Sequence, residues 1–418
     1  MSYLGDKLER ILREYSLKPF LCTSAPGRAD FLNTHQDYKG LPVVPVAISL
    51  RTYMFALKRT RGYFRIESLN LKDEGRKYID KFSVKSPKIK AGRWFGNYFR
   101  AVVRAVEERL KIGLSHGLRV VVISDVPVAS GLASSAALEV AFTYLLNREY
   151  GLDLSKKDVA EISYIAEHDV LNIPCGRLDQ YGSTFGGIIK LNTKPPYDVY
   201  EIPFKDINLV ILDSGVRHST AEIHPVRQRE IDEGLKRLME SDKVPRKLKE
   251  KLGYRYYEPK WEDISLEEIE PYLSLMSENS AKRIVFTIKM NELTEVALSV
   301  LGGEPPIKYR ETLEQYGIDV SKAHKVHEFL GEIMNKQHEL LRDLYEVSLP
   351  ELEKIRNAAL KAGALGVKIS GAGLGGALIA LFKDSDKGYE ISRAALKAGA
   401  SRTFIVKIDE GVKVESIM

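Results

Sequence analysis

Cysteine is nearly missing from this chain: Cys22 and Cys175 are the two present in 418 residues. That excludes a disulfide framework and a cysteine-built metal site. No apolar run approaches the roughly 20 residues that cross a bilayer. The opening stretch MSYLGDKLERILREYSLKPF lacks the central apolar segment of a signal peptide, and its Leu4, Leu8, Ile11 and Leu12 instead mark one face of an amphipathic helix. A basic tail is absent too. Lys and Arg number 63 against 57 Asp and Glu, and a net charge of +6 on so long a chain makes no case for nucleic acid. Repeats and low-complexity segments are also lacking. The expectation is a cytoplasmic protein with neither membrane nor nucleic-acid partners.

What is present is the balance of a globular protein, 44% hydrophobic and 29% charged. The length fits one very large domain or two ordinary ones. LPVVPVAISL (Leu41–Leu50) and RTYMFAL (Arg51–Leu57) are rich in β-branched and aromatic residues and predict strands. Apolar spacing predicts helices over Gly96–Leu110, from near Ser134 to about Asn147, and over Lys157–Leu171. Gly117–Pro127 and the IIKLN after Gly187 predict further strands. The prolines of Thr193–Asp198 make it the best linker, so the halves are 1–195 and 196–418, both α+β. Residues 241–269 mix charge, Tyr and Pro and predict a surface insertion.

Three stretches carry chemistry. In DVPVASGLASSAALEVAFTYLL (Asp125–Leu146) a strand gives way to small residues and then a helix. Backbone N–H groups there can hold an anion, although a serine-capped strand-to-helix turn reads equally well. No GxxxxGK[ST] string occurs, so an ordinary P-loop is excluded. VKISGAGLGGALIAL (Val367–Leu381) packs Gly371, Gly373, Gly375 and Gly376 into a close-approach loop or a plain glycine bend. Its place near the end of the chain, with no βα unit and acidic residue following, excludes a dinucleotide fingerprint. APGRADFLNTHQDYKG (Ala25–Gly40) crowds Arg28, Asp30, His35, Asp37 and Tyr38 beside a strand. That suits a polyhydroxylated ligand or a solvated loop with an Arg–Asp pair. His35 with Asp37 alone is too few ligands for a metal.

In this order the three stretches resemble the signature motifs of the GHMP kinases and, within them, the galactokinase group, whose consensus is APGRVNLIGEHTDYNG. AEHDVLNIPCGRLDQYGS and DSGVRHSTAEIHPVRQRE add weaker matches. The resemblance implies a two-domain α+β fold, with an N-terminal part like ribosomal protein S5 domain 2, a ferredoxin-like C-terminal part, and the active site in the cleft between them. It implies an ATP- and Mg²⁺-dependent sugar 1-kinase, monomeric or homodimeric, acting on galactose or a related monosaccharide. By motif match Asp179 is the catalytic aspartate and Arg28 faces it. Arg28, Thr34, His35, Asp37, Gly176, Asp179 and His224 lie around the sugar. Ala129, Ser130, Gly131, Leu132, Ala133, Ser134 and Ser135 form the phosphate loop, with Gly371 and Gly373 opposite. Ser135 and Glu167 are the metal-side pair, and Trp94 and Tyr98 fall toward the nucleotide. An aspartate beside an arginine keeps a low pKa, so Asp179 is expected to orient the anomeric hydroxyl and accept a proton that leaves late.

The chain departs from the galactokinase pattern at three positions. Thr34 replaces a glutamate expected to bind the sugar's 6-hydroxyl, His224 replaces a pocket tyrosine, and Asp30 replaces an asparagine. One lost charged hydrogen bond is worth about 1.5–3 kcal/mol, enough to change which sugar wins. A uronic acid, a pentose or another sugar altered at C5/C6 is therefore an alternative substrate. A non-catalytic sugar sensor is a further alternative, set against by the presence of Ser134, Ser135, Glu167 and Asp179.

Overall fold

The computed structural model describes every residue except 1–2, 86, 93, 129, 217–219, 321–324 and 418. Its first sheet is built from β1 (Leu21–Leu32), β2 (Val44–Thr60), β3 (Tyr63–Ser68), β4 (Ile79–Ser83), β5 (Gly117–Ser124), β6 (Ile188–Leu191) and β7 (Val199–Ile202). The second holds β8 (Asn208–Asp213), β9 (Gly366–Ser370), β10 (Ala377–Phe382) and β11 (Arg402–Lys407). The chain then returns to the first sheet, where β12 (Lys413–Val414) pairs with the edge of β1. Strand order is β12-β1-β2-β5-β3-β4, with β6 joining β2 to β7, and β11-β8-β10-β9 in the second sheet.

The two predicted strands of residues 41–57 are one strand, β2 (Val44–Thr60), because no glycine or proline interrupts the run after Pro45. Its length lets it pair with β1, β5 and β6. The expected linker is a hairpin turn: Asn192 N–H bonds the Asp198 carbonyl, and β7 pairs with β6. Residue 195 thus lies within a turn of the first sheet rather than between the two sheets. The expected surface insertion has a core of its own. Val244, Leu248, Leu252, Trp261, Ile264 and Ile269 are buried against Leu41 and the helices Thr220–Glu240 and Glu278–Leu301. Packing gathers these apolar residues although charge dominates the segment's composition.

β1 is the hub. It is buried along almost its whole length, which its near-continuous small and apolar run, LCTSAPGRADFL, permits. Ala29, Phe31 and Leu32 share one apolar core with β8, β9 and β10, so the halves are welded beside the site. Burial of such side chains stabilises by about 1.5–3 kcal/mol each.

Candidate active site

Gly27 sits where β1 meets the small-residue loop, and a Cβ there would lie 2.8 Å from the Leu132 carbonyl oxygen. That closeness lets the Arg28 N–H donate to the same carbonyl. The loop runs into the helix Ser134–Tyr150 through Gly131 and Ala133, both left-handed, at φ 75° and 58°. Ala129 falls outside the described residues. Ser130 is buried and turned inward onto the Pro127 carbonyl, whereas Ser134 and Ser135 are half-buried at the helix start. The glycine loop after β9 closes from the other side: a Cβ on Gly131 would lie 3.4 Å from the Ser370 carbonyl oxygen. Gly371 and Gly373 take φ 97° and 82°, conformations that other residues adopt only with strain.

Asp179 lies in the first turn of the helix Leu178–Phe185. One turn on, Gly182 packs directly on the Arg28 side chain, where a Cβ would come within 3.2 Å. The helix therefore sits low enough on β1 for Arg28 Nε and Nη2 to donate to Asp179 Oδ1, at 2.9 and 2.5 Å. Arg28 Nη1 donates to the Gly131 carbonyl. Both bonds to the carboxylate fall on one oxygen, leaving Oδ2 for another donor.

A second acidic group lies close by. The predicted helix through Leu171 is α-helical only to Ile165; a wider π-type turn, Ala166–Val170, then carries Glu167 inward. Its carboxyl is pushed up by burial and by Asp179, against hydrogen bonds from Ser135 and Gln180. Glu139, which sequence reasoning missed, is fully buried beside it and pushed well above the usual range by burial and by Glu167. Gln180 reaches both, at 2.7 Å to Glu167 and 3.5 Å to Glu139, and Glu139 Oε1 has no partner. The signal was there in ALEVA, a carboxylate in an otherwise apolar helix.

The 33–40 loop is pinned by its own side chains. Asn33 holds the Pro42 carbonyl and Asn291, Gln36 the Thr287 carbonyl, and His35 Nε2 the Ala372 carbonyl at 2.9 Å. Burial pushes His35 well below its usual pKa, with His224 and Lys39 adding to the effect, so the ring is neutral and Nε2–H donates. His224 lies 5.3 Å from His35 and 5.1 Å from Tyr38 between ring centroids, and Tyr38 bonds Tyr345. Gly176 leaves room for Asp37: a Cβ would fall 2.7 Å from its Oδ2. Thr34 differs from expectation. It is 1% exposed, and its hydroxyl accepts from Lys368 Nζ at 2.7 Å and helps to favour the ionised Asp30 carboxylate. Trp94 and Tyr98 are both half-buried, and the recorded contacts of Trp94 are local, with Phe95 and Lys90.

This chain belongs to the GHMP kinases: residues 97–187 match their N-terminal domain and 322–401 their C-terminal domain. Residues 12–58 further match the galactose-binding signature of galactokinases. Human galactokinase is 29% identical, covering 98% of this chain and 96% of its own, and galactokinase of Pyrococcus furiosus is 28% identical over 94% and 99%. Lactococcus lactis galactokinase complexed with galactose shares the fold with a TM-score of 0.76 at 24% identity, covering 99% of this chain and all of its own. A mevalonate kinase shares it at 0.64 and 18%, over 93% of this chain and 99% of its own.

Proposed function

We propose that the chain is an ATP-dependent galactose 1-kinase, passing the γ-phosphoryl group to the anomeric hydroxyl in the cleft where β1, the phosphate loop and the helix of Asp179 meet. The observation that carries this reading is the Arg28–Asp179 pair. One Arg28 side chain joins the phosphate loop at Gly131 to the carboxylate facing the sugar loop. Phosphoryl transfer is mostly alignment and charge neutralisation. Asp179 Oδ1 is held by Arg28, so Oδ2 receives the acceptor hydroxyl and its late-leaving proton. Arg28 then offsets charge on the transferred group. Backbone N–H groups of Gly131–Ser135 and of the Gly371–Gly373 loop cradle the phosphates without a lysine.

The Ser135–Glu167–Glu139 group fits a divalent cation that arrives with the nucleotide. Two carboxylates lie together with no basic side chain between them, and one oxygen is unpartnered. Among the described residues no three His, Cys, Asp or Glu converge on a metal, which suits Mg²⁺ shared with phosphates rather than an all-protein cage. Ser135 and Glu167 would hold it, and it would supply charge neutralisation of the phosphates.

The change at Thr34 gives an anionic sugar no free lysine donor at Lys368. All three Lys368 donors are satisfied within the protein, by Asp30 O, Thr34 Oγ1 and Ile369 O. An ADP-release assay against galactose, galacturonate, glucuronate, N-acetylgalactosamine, arabinose, fucose and glucose tests the reading. Highest kcat/KM on galactose, with galactose 1-phosphate as product and none from Asp179→Asn, is expected. Preference for another sugar overturns the galactose assignment. The chain is in either case a kinase of this family, and no helix among the described residues is long and apolar enough to cross a membrane.

A further inference from the structure

Asp30 is 6% exposed, and its Oδ1 has no hydrogen-bond partner. A buried carboxylate oxygen without a protein partner is rare, because burial of an acceptor is costly unless a hydrogen bond compensates it. Its backbone is engaged: the N–H is paired with Ser370 Oγ at 2.9 Å and the carbonyl accepts from Lys368 Nζ at 3.1 Å, while Lys368, Arg28 and the Thr34 hydroxyl favour the ionised carboxylate. Lys368 balances the charge yet has no N–H left to donate to Oδ1.

Strand register sets the Asp30 side chain beside that of Arg28. Arg28 and Asp30 pair with Ala47 and Pro45 in unbroken register, so both side chains project from the same face of β1. They stand two residues apart, about 6.6–6.8 Å along the strand. That separation is comparable with the width of one sugar ring. Arg28 holds Asp179 at one end of this span. The Asp30 carboxylate lies within Coulomb range of both Arg28 and Asp37. An ionised carboxylate only accepts hydrogen bonds, so the missing partner is a donor, and a sugar presents hydroxyls.

We propose that Asp30 is a specificity-determining residue of the sugar site, its free carboxylate oxygen accepting a hydrogen bond from a ring hydroxyl distant from the anomeric centre. Thr34 and Lys368 aim and neutralise it without touching the sugar. This rests on the galactose-kinase reading above.

The test crosses side chain with substrate. kcat/KM is measured for the wild type and Asp30→Asn with galactose and its 2-, 3-, 4- and 6-deoxy analogues at saturating ATP. In the wild type, deletion of the partner hydroxyl costs about 10- to 100-fold. In Asp30→Asn that penalty falls below about threefold at the same hydroxyl alone, with KM for ATP unchanged. A purely structural carboxylate would lower all sugars in parallel, and parallel profiles overturn the proposal. If Asp30→Asn does not fold, Thr34→Val keeps the carboxylate but removes the hydroxyl that aims it; discrimination at one hydroxyl must still weaken, and an unchanged profile overturns the proposal. Failure of the wild type on every sugar overturns the kinase reading itself, whereas normal turnover with parallel profiles overturns this inference alone.

Discussion

The two ends of the cleft handle buried charge in opposite ways. At the phosphate end, Glu139 and Glu167 share a buried site with Gln180 and Ser135, and both carboxyls are pushed up by burial and by neighbouring carboxylates. At the sugar end the buried carboxylates have basic neighbours: Arg28 bonds Asp179, and Lys368 and Lys39 partly offset the rise that burial gives Asp30 and Asp37. The difference matches what each end receives. A nucleotide brings its own cation, so acid left unneutralised by the protein becomes affinity once that cation arrives. A sugar brings no charge, so any imbalance there would remain as a standing cost.

The largest break in this comparison is at the join. Asp179→Asn should lower kcat by about 10²–10⁴-fold, with KM for galactose and ATP within a few-fold of wild type, in steady-state assays. Arg28→Met should cost about 10²–10³-fold and leave Asp179 without its anchor. If Asp179→Asn instead raises KM with kcat unchanged, the carboxylate binds sugar but takes no part in transfer.

The acidic end separates two residues of similar appearance. Glu167→Gln should raise the Mg²⁺ concentration for half-maximal rate by about 10- to 100-fold. Glu139→Gln should leave it within about threefold, because burial already favours the neutral carboxyl that glutamine imitates. Equal effects from both would mean that Glu139 is ionised and ligates directly, removing the contrast drawn between the ends.

How far these ends were legible in the sequence follows from how they are assembled. The small-residue turn into Ser134–Tyr150 and the strings around Arg28 and Asp179 are local, and as turn, helix start and ion pair they were legible because helix starts and tight turns demand small residues in a short run. The Asp30–Lys368 contact joins residues 338 apart, and no local pattern encodes it. Its trace was a lysine inside the apolar strand GVKIS, a charge that cannot be buried unpartnered. The partner of Thr34 was hidden for the same reason: Lys368, which bonds its hydroxyl, lies on another sheet. The insertion misled differently. Its surface-like composition concealed Trp261 and a ring of leucines and isoleucines, and it brings Tyr256 to 5.9 Å from Tyr38, between ring centroids, at the pocket wall.

The smallest effect sharpens the sugar end. Burial pushes the Asp30 carboxyl up to about 6, opposed by Lys368 and Arg28 and reinforced by Asp37. The accepting form is the ionised one, so KM for galactose should fall as pH rises through about 6. One group titrating there gives roughly a tenfold change between pH 5 and pH 7. Lys368, pushed down to about 8 by burial, keeps its proton over that range. Burial lowers both His35 and His224, and neither is removed in Asp30→Asn, so a limb that survives in that variant belongs to another group. Asp37, raised by burial, titrates in the same direction, so the Asp30→Asn profile separates the two. For stability the sign is reversed. Between about 4 and 6 the folded chain keeps a proton that the unfolded chain has released, so Asp30 makes folding less favourable as pH rises across that window. A galactose KM that improves as pH rises through about 6, with thermal stability declining between about 4 and 6, both flattened in Asp30→Asn, identifies one carboxylate serving the substrate at the expense of the fold.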